Sequence, residues 1–127
     1  MEVQRATTGN PWERELGFSR AVRVGEMIYT AGTIASDPDG RIHGADSYEQ
    51  CSYILKMLDR VLKELGGGLD TVVKVTCYMV GLEHLPGFSK AHAEYFGTTK
   101  PATTGVAIAG LVGEGTLVEL ELIALVR

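Results

Sequence analysis

Two glutamates, Glu119 and Glu121, sit two residues apart in the otherwise apolar run VELELIALV from Val118 to Val126. Successive side chains of a β-strand point to opposite sides of the sheet. Val118, Leu120, Leu122, Ala124 and Val126 therefore make one apolar face, and Leu117, Glu119, Glu121, Ile123 and Leu125 make a mixed one. Carboxylates at i and i+2 can share a proton or divide the roles of acid and base. Glu119 can serve as a general base, as an acceptor for a ligand, or as an ion-pair partner across an interface; Glu121 reads as a solvated or ion-paired carboxylate. The preceding strand, within PATTGVAIA from Pro101 to Ala109, shows the same alternation. Val106 and Ile108 take one side, and the small residues Thr103, Gly105, Ala107 and Ala109 take the other. With the apolar faces sharing a core, Thr103, Gly105, Glu119 and Glu121 are expected together on the opposite face.

The remaining reactive residues offer less. His43 and His84 fall in loops and His92 on a helix surface, with no spacing suited to a metal. Cys51 and Cys77 match no metal or redox spacing and read as reduced core residues. Gly66-Gly67-Gly68 lacks the Lys-Ser/Thr of a phosphate loop and closes a helix. No Ser-His-Asp arrangement can be argued.

The elements that must position these groups follow from periodicity. Met1 to Gly17 reads as an irregular polar segment anchored by Trp12, either capping the core or covering a cleft. Ala21–Val24 and Met27–Ala35 read as strands joined by a hairpin turn at Gly25-Glu26. The turn Ser36 to Gly40 precedes a possible short extended piece at Arg41 to Gly44. A long helix starts at Ser47, with Gln50 as the partner of a capping box, and buries Ile54, Leu55, Leu58, Val61, Leu62 and Leu65. Thr71–Val80 is a strand with Val73, Val75, Cys77 and Met79 on one face, and Phe88–Phe96 is a second helix after the break at Pro86-Gly87. The order β-β-(β)-α-β-α-β-β predicts one α+β domain over residues 1–127, a sheet with two helices packed on one face. The uncovered face carries Ile123, Leu125, Tyr78 and Val80, and a homo-oligomer burying it is the simplest solution.

With 127 residues, 45% hydrophobic and 22% charged, the composition is that of an ordinary globular domain. The formal net charge of −4 and the absence of a basic run argue against nucleic-acid partners. No apolar run reaches membrane-spanning length and no signal core opens the chain, so a cytoplasmic protein without a membrane partner is expected.

Five stretches in order resemble the RidA (YjgF) family: GFSRAVRVGEMIYTAGTI from Gly17 to Ile34, the helix over residues 47–66, VVKVTCYMVGL from Val72 to Leu82, PATTGV from Pro101 to Val106, and VELELIA from Val118 to Ala124. The resemblance implies a chorismate-mutase-like fold and a homotrimer with ligand clefts between subunits. It also implies hydrolysis of reactive enamines or imines without metal or cofactor. Carried over by position, Glu119 would position or activate the attacking water and the backbone of Gly32 would line the cleft. The position of the family's carboxylate-gripping arginine, in Pro-Ala-Arg-Ser/Thr, holds Thr103, with Gly105 two residues on, and the position of a site tyrosine holds Ser19. Threonine cannot imitate the two-pronged guanidinium contact. Arg20, Arg23, Arg41 and Lys100 are the cations available by position to replace it. The chain resembles a family branch with Pro-Ala-Thr-Thr, a Trp-Glu pair such as Trp12-Glu13, and a helix histidine such as His92. The implied function is a small-molecule enzyme acting on a reactive C–N compound other than an α-imino acid; the alternative is a metabolite-binding or protein-interaction module using the same cleft. A ribonuclease role, also attached to the family, finds little support in the acidic balance.

Overall fold

A computed structural model describes all 127 residues, Met1–Arg127. Strands β1 (Val3–Ala6), β2 (Ala21–Val24), β3 (Met27–Thr30), β4 (Val72–Met79), β5 (Ala102–Ala107) and β6 (Val118–Leu125) form one sheet in the order β1-β2-β3-β6-β4-β5. Every neighbouring pair is antiparallel except β4 and β5. Helices α2 (Ser47–Glu64) and α3 (Leu85–Phe96) cover one face, and their apolar stripes meet Val75, Cys77, Met79, Leu120 and Leu122 in the core. This is the expected α+β architecture, with one addition. The segment read as irregular carries edge strand β1 and a third, short helix α1 (Pro11–Leu16). No helix is long and apolar enough to cross a membrane.

Helix α2 starts one residue earlier in its capping than the sequence suggested. Asp46, not Ser47, is the N-cap, and it accepts from the Glu49 amide at 2.8 Å. This frees Gln50 to turn inward, where it is 1% exposed. Its amide donates to the carbonyls of Gly44 and Gly115 and its oxygen accepts from the Leu117 amide, tying α2 to the loop that leads into β6. The helix stops where expected: Gly66 takes φ 95° and the Gly67 amide donates back to Leu62. Helix α3 begins at Leu85, not Phe88. Pro86 occupies its first turn, where a missing N–H breaks no helical bond. Gly87 there marks a close approach, since a Cβ would lie 2.1 Å from Ser47 Oγ. The possible strand at Arg41 to Gly44 is a single bridge, Ser36 to Ile42.

Two irregularities reset side-chain parity. The β4–β6 register slips between Val72 and Lys74, so Val72 is buried while Val73, expected inside, is 40% exposed. Strand β3 stops at Thr30 instead of Ala35. Its pairing runs from Tyr29↔Ile123 to the isolated bridge Thr33↔Leu120, four steps on one strand against three on the other. The extra residue pushes Ala31 and Gly32 out of the ladder beside the start of β6.

Candidate functional site

That bulge and the start of β6 form the floor of a cavity of about 260 Å³, roofed by α1 and lined by Trp12, Phe18, Arg20, Gly32, Met57 and Glu119 among others. Glu119 is half-buried in its lining. No hydrogen bond from the chain reaches its carboxylate; burial, and next the nearby charge of Glu121, push its pKa up, while Arg20 partly offsets them. Gly32 gives the carboxylate its place. A Cβ at residue 32 would lie 2.7 Å from Glu119 Oε2, closer than real contacts allow. Glu121 faces the same side of the sheet but is already engaged, accepting a hydrogen bond from Tyr78 Oη at 2.6 Å. That bond raises the tyrosine's pKa.

Of the four cations available by position, only Arg20 lines the cavity. Arg23 is spent on the carbonyls of Gly25 and Leu65, and Arg41 and Lys100 lie exposed. Arg20 is 6% exposed and stacks its guanidinium 5.3 Å from the centre of the Phe18 ring. Its Nε donates to Glu13 Oε2 at 3.0 Å, and its Nη1 donates to the Gly32 carbonyl at 2.9 Å and Thr33 Oγ1 at 3.0 Å. Glu13, 3% exposed, also accepts from Thr7 Oγ1, from the Thr8 amide at 3.0 Å and from Thr8 Oγ1 at 2.6 Å. Burial pushes the Glu13 pKa up, but the hydrogen bonds from Thr7, Thr8 and Arg20 outweigh it and hold the carboxyl below its usual range. The polar segment before Gly17 is thus latched to the sheet by a buried ion pair.

The structure brings Gly32 and Glu119 together and separates the other candidates from them. Paired residues on neighbouring strands point the same way. Thr103 pairs with Val75 and Gly105 with Cys77, whereas Glu119 pairs with Tyr78, which pairs with Val106. Thr103 and Gly105 therefore face the helices, and Val106 shares the Glu119 side; the expected grouping is reversed for β5. The reversal follows from the parallel register of β5 on β4, and every residue of β5 stays exposed. A Cβ on Gly105 would meet Met79 Cε at 3.4 Å and Phe88 Cε2 at 3.9 Å. Thr103 Oγ1 lies 2.7 Å from His92 Nε2 and donates to the Pro101 carbonyl, so the imidazole is the donor to it. Burial lowers the His92 pKa, which keeps the ring neutral at pH 7. Ser19 is half-buried but outside the cavity lining, where its neighbour Phe18 supplies the aromatic ring.

Phe18 and Thr33 line the cavity without having been singled out from the sequence, and Glu13 enters there only as part of a motif. The one local signal for Glu13 was its position beside the sole tryptophan in a polar segment.

The family model described as endoribonuclease L-PSP matches residues 10–126. A RutC family protein of Pyrococcus abyssi is 37% identical over 108 residues, 84% of each chain. The 2-iminobutanoate/2-iminopropanoate deaminase of Mus musculus is 31% identical over 108 residues, 84% of this chain and 79% of the mouse protein. Among solved structures, a YjgF family protein of Mycobacterium tuberculosis superposes with a TM-score of 0.89 at 30% identity, covering 98% of this chain and 100% of that one.

Proposed function

The chain belongs to the endoribonuclease L-PSP family of YjgF, RidA and RutC proteins, and from that membership we propose that it hydrolyses an enamine, imine or related reactive C–N compound in the cavity between α1 and β6. The observation that carries this reading is Glu119: a carboxylate without a protein partner, raised in pKa and aimed into a cavity with a cation beside it. Groups with that profile are matched to proton transfer near neutral pH. Glu119 takes a proton from water as the oxygen attacks the C=N carbon. That proton and then the hydroxyl proton of the adduct pass to nitrogen, and the C–N bond breaks to leave a carbonyl compound and ammonia. Water is the only co-reactant.

The mouse relative's name places one such deaminase in the family. Thr103, tied to His92 and Pro101, offers no cation to a substrate carboxylate. That observation favours a substrate other than an α-imino acid, and it is also the support for the second reading, a binding module using the same cavity. A homotrimer completes the proposal. Tyr29, Val106 and Leu125, which are 45, 38 and 41% exposed, lie on the sheet face opposite α2 and α3, and burying them between subunits removes an apolar patch.

The test is ammonia release from carboxylate-free imines generated in situ from primary amines by an amine oxidase, with wild-type protein and Glu119→Gln at matched folding. Wild-type acceleration lost in the variant supports the hydrolase. Equal rates for the two proteins on every compound sink it, and tight ligand binding without turnover favours the binding module. Light scattering in the same buffer reads the mass, expected at three times the 13.7 kDa of one chain.

A further inference from the structure

The Arg20 guanidinium carries five N–H donors in a rigid plane. Its Nε is spent on Glu13, and Nη1 gives its two to the Gly32 carbonyl and Thr33 Oγ1. The two that remain are both on Nη2, which makes no hydrogen bond within the chain. Nη2 is not sealed away either, because the only fully enclosed side-chain polar atom without a partner is Thr116 Oγ1. A buried cation therefore presents one unsatisfied nitrogen to the cavity it lines.

A two-pronged contact with a carboxylate requires donors on two neighbouring nitrogens. Both neighbours of Nη2 in the guanidinium plane are occupied, so a carboxylate cannot grip it through two neighbouring nitrogens, and a ligand oxygen meets Nη2 by a single N–H. The charge balance points the same way. Glu13 already offsets the positive charge of Arg20, and Glu119 adds a second carboxylate to the cavity lining. A ligand carboxylate would be a third anion around a single cation, and like charges set against each other at a binding site are costly. A carbonyl oxygen fills the Nη2 position without adding charge. Trp12, Phe18 and Met57 supply apolar wall for the rest of the molecule.

We propose that the cavity selects an uncharged carbonyl compound over the matching carboxylate, with the carbonyl oxygen accepting from Arg20 Nη2 and the adjoining C–N centre facing Glu119. This rests on the reading of the cavity as the hydrolytic site and names its substrate class: reactive C–N compounds bearing an amide, ketone or ester oxygen and no free acid. Arg20 is the binding residue and Glu13 its positioning residue.

The test is calorimetric titration of the full chain at pH 7 with two matched pairs, 2-oxopropanamide against 2-oxopropanoate and crotonamide against crotonate. The amides are expected to bind at least about tenfold more tightly than the acids, and Arg20→Lys, which keeps the charge but loses the planar Nη2, is expected to erase the difference. A crystal of the wild-type protein with 2-oxopropanamide, which does not depend on the variant folding, should place the oxygen within about 3.2 Å of Nη2. Acids binding as well as amides, or an oxygen bound elsewhere, overturns the inference and leaves the Glu119 hydrolase untouched. If no probe binds, the substrate class is wrong, and the hydrolase reading then stands or falls separately on the ammonia assay with Glu119→Gln.

Discussion

Glu13→Ala tests the latch between the N-terminal segment and the sheet. The Glu13 carboxylate is 3% exposed and accepts four hydrogen bonds, two from side-chain hydroxyls, one from a backbone amide and one from the Arg20 guanidinium. Alanine leaves a buried guanidinium without its counter-charge and three other donors without an acceptor. Removing one partner of a buried ion pair costs about 3–5 kcal/mol. The cavity beside Arg20 admits water, which places the expectation near the lower end, about 3 kcal/mol. In a domain of this size that lowers Tm by roughly 10–15 °C. Urea unfolding at fixed protein concentration, followed by far-ultraviolet circular dichroism and by Trp12 fluorescence, measures both the global loss and any separate release of α1. Replacing both partners, as in Glu13→Leu with Arg20→Met, is expected to cost less than Glu13→Ala, because no charge is left buried. The pH dependence has a fixed sign. The folded pKa of Glu13 lies below the ordinary 4.5, so its stabilisation is present in full above that pH and disappears as pH falls through the folded value. A loss under about 1 kcal/mol for Glu13→Ala at pH 7 would refute the latch.

Gly32→Ala introduces a methyl 2.7 Å from Glu119 Oε2 without straining a backbone that is not left-handed there. The flexible carboxylate end should give way, costing less than about 1 kcal/mol in stability but roughly tenfold or more in turnover or ligand affinity; unchanged function would separate Glu119 from the site. Glu119→Gln is expected to raise Tm at pH 7. The raised folded pKa means its favourable contribution exists below the ordinary 4.5 and is lost as pH climbs through the folded value, so the gap between the two proteins should close in acid. A gap independent of pH between 3 and 8 (roughly the range that brackets carboxylate titration) would contradict the burial argument. Gln50→Leu strands the Gly44 and Gly115 carbonyls and the Leu117 amide, for an expected loss of about 2–4 kcal/mol in urea unfolding; a loss below about 1 kcal/mol would mean that water replaces the side chain.

Local order was legible in the residues themselves. The alternation from Val118 to Leu125 placed β6 and its buried face, because period-two patterning is a property of one strand alone. The same holds for the stripe of α2 and its glycine stop. Within the site, Gly32 and Glu119 were singled out by resemblance, and they do lie together. What one strand cannot carry is its register against another. Its apolar side chain predicts Val106 inward, yet pairing with β4 sets it beside Tyr78 and sends Thr103 and Gly105 to the helix side of the sheet. The slip near Val73 and the extra residue between Tyr29 and Thr33 are likewise products of pairing between distant segments. The choice among four cations was made by packing. Arg20 became the cavity's cation only because Glu13, Gly32 and Thr33, brought from separate segments, hold three of its donors and leave Nη2 without a partner in the chain. Sequence alone determined the strand with its carboxylates and the helix behind it; the tertiary structure decided which side chains share a face with them, because faces are set by the long-range register between strands.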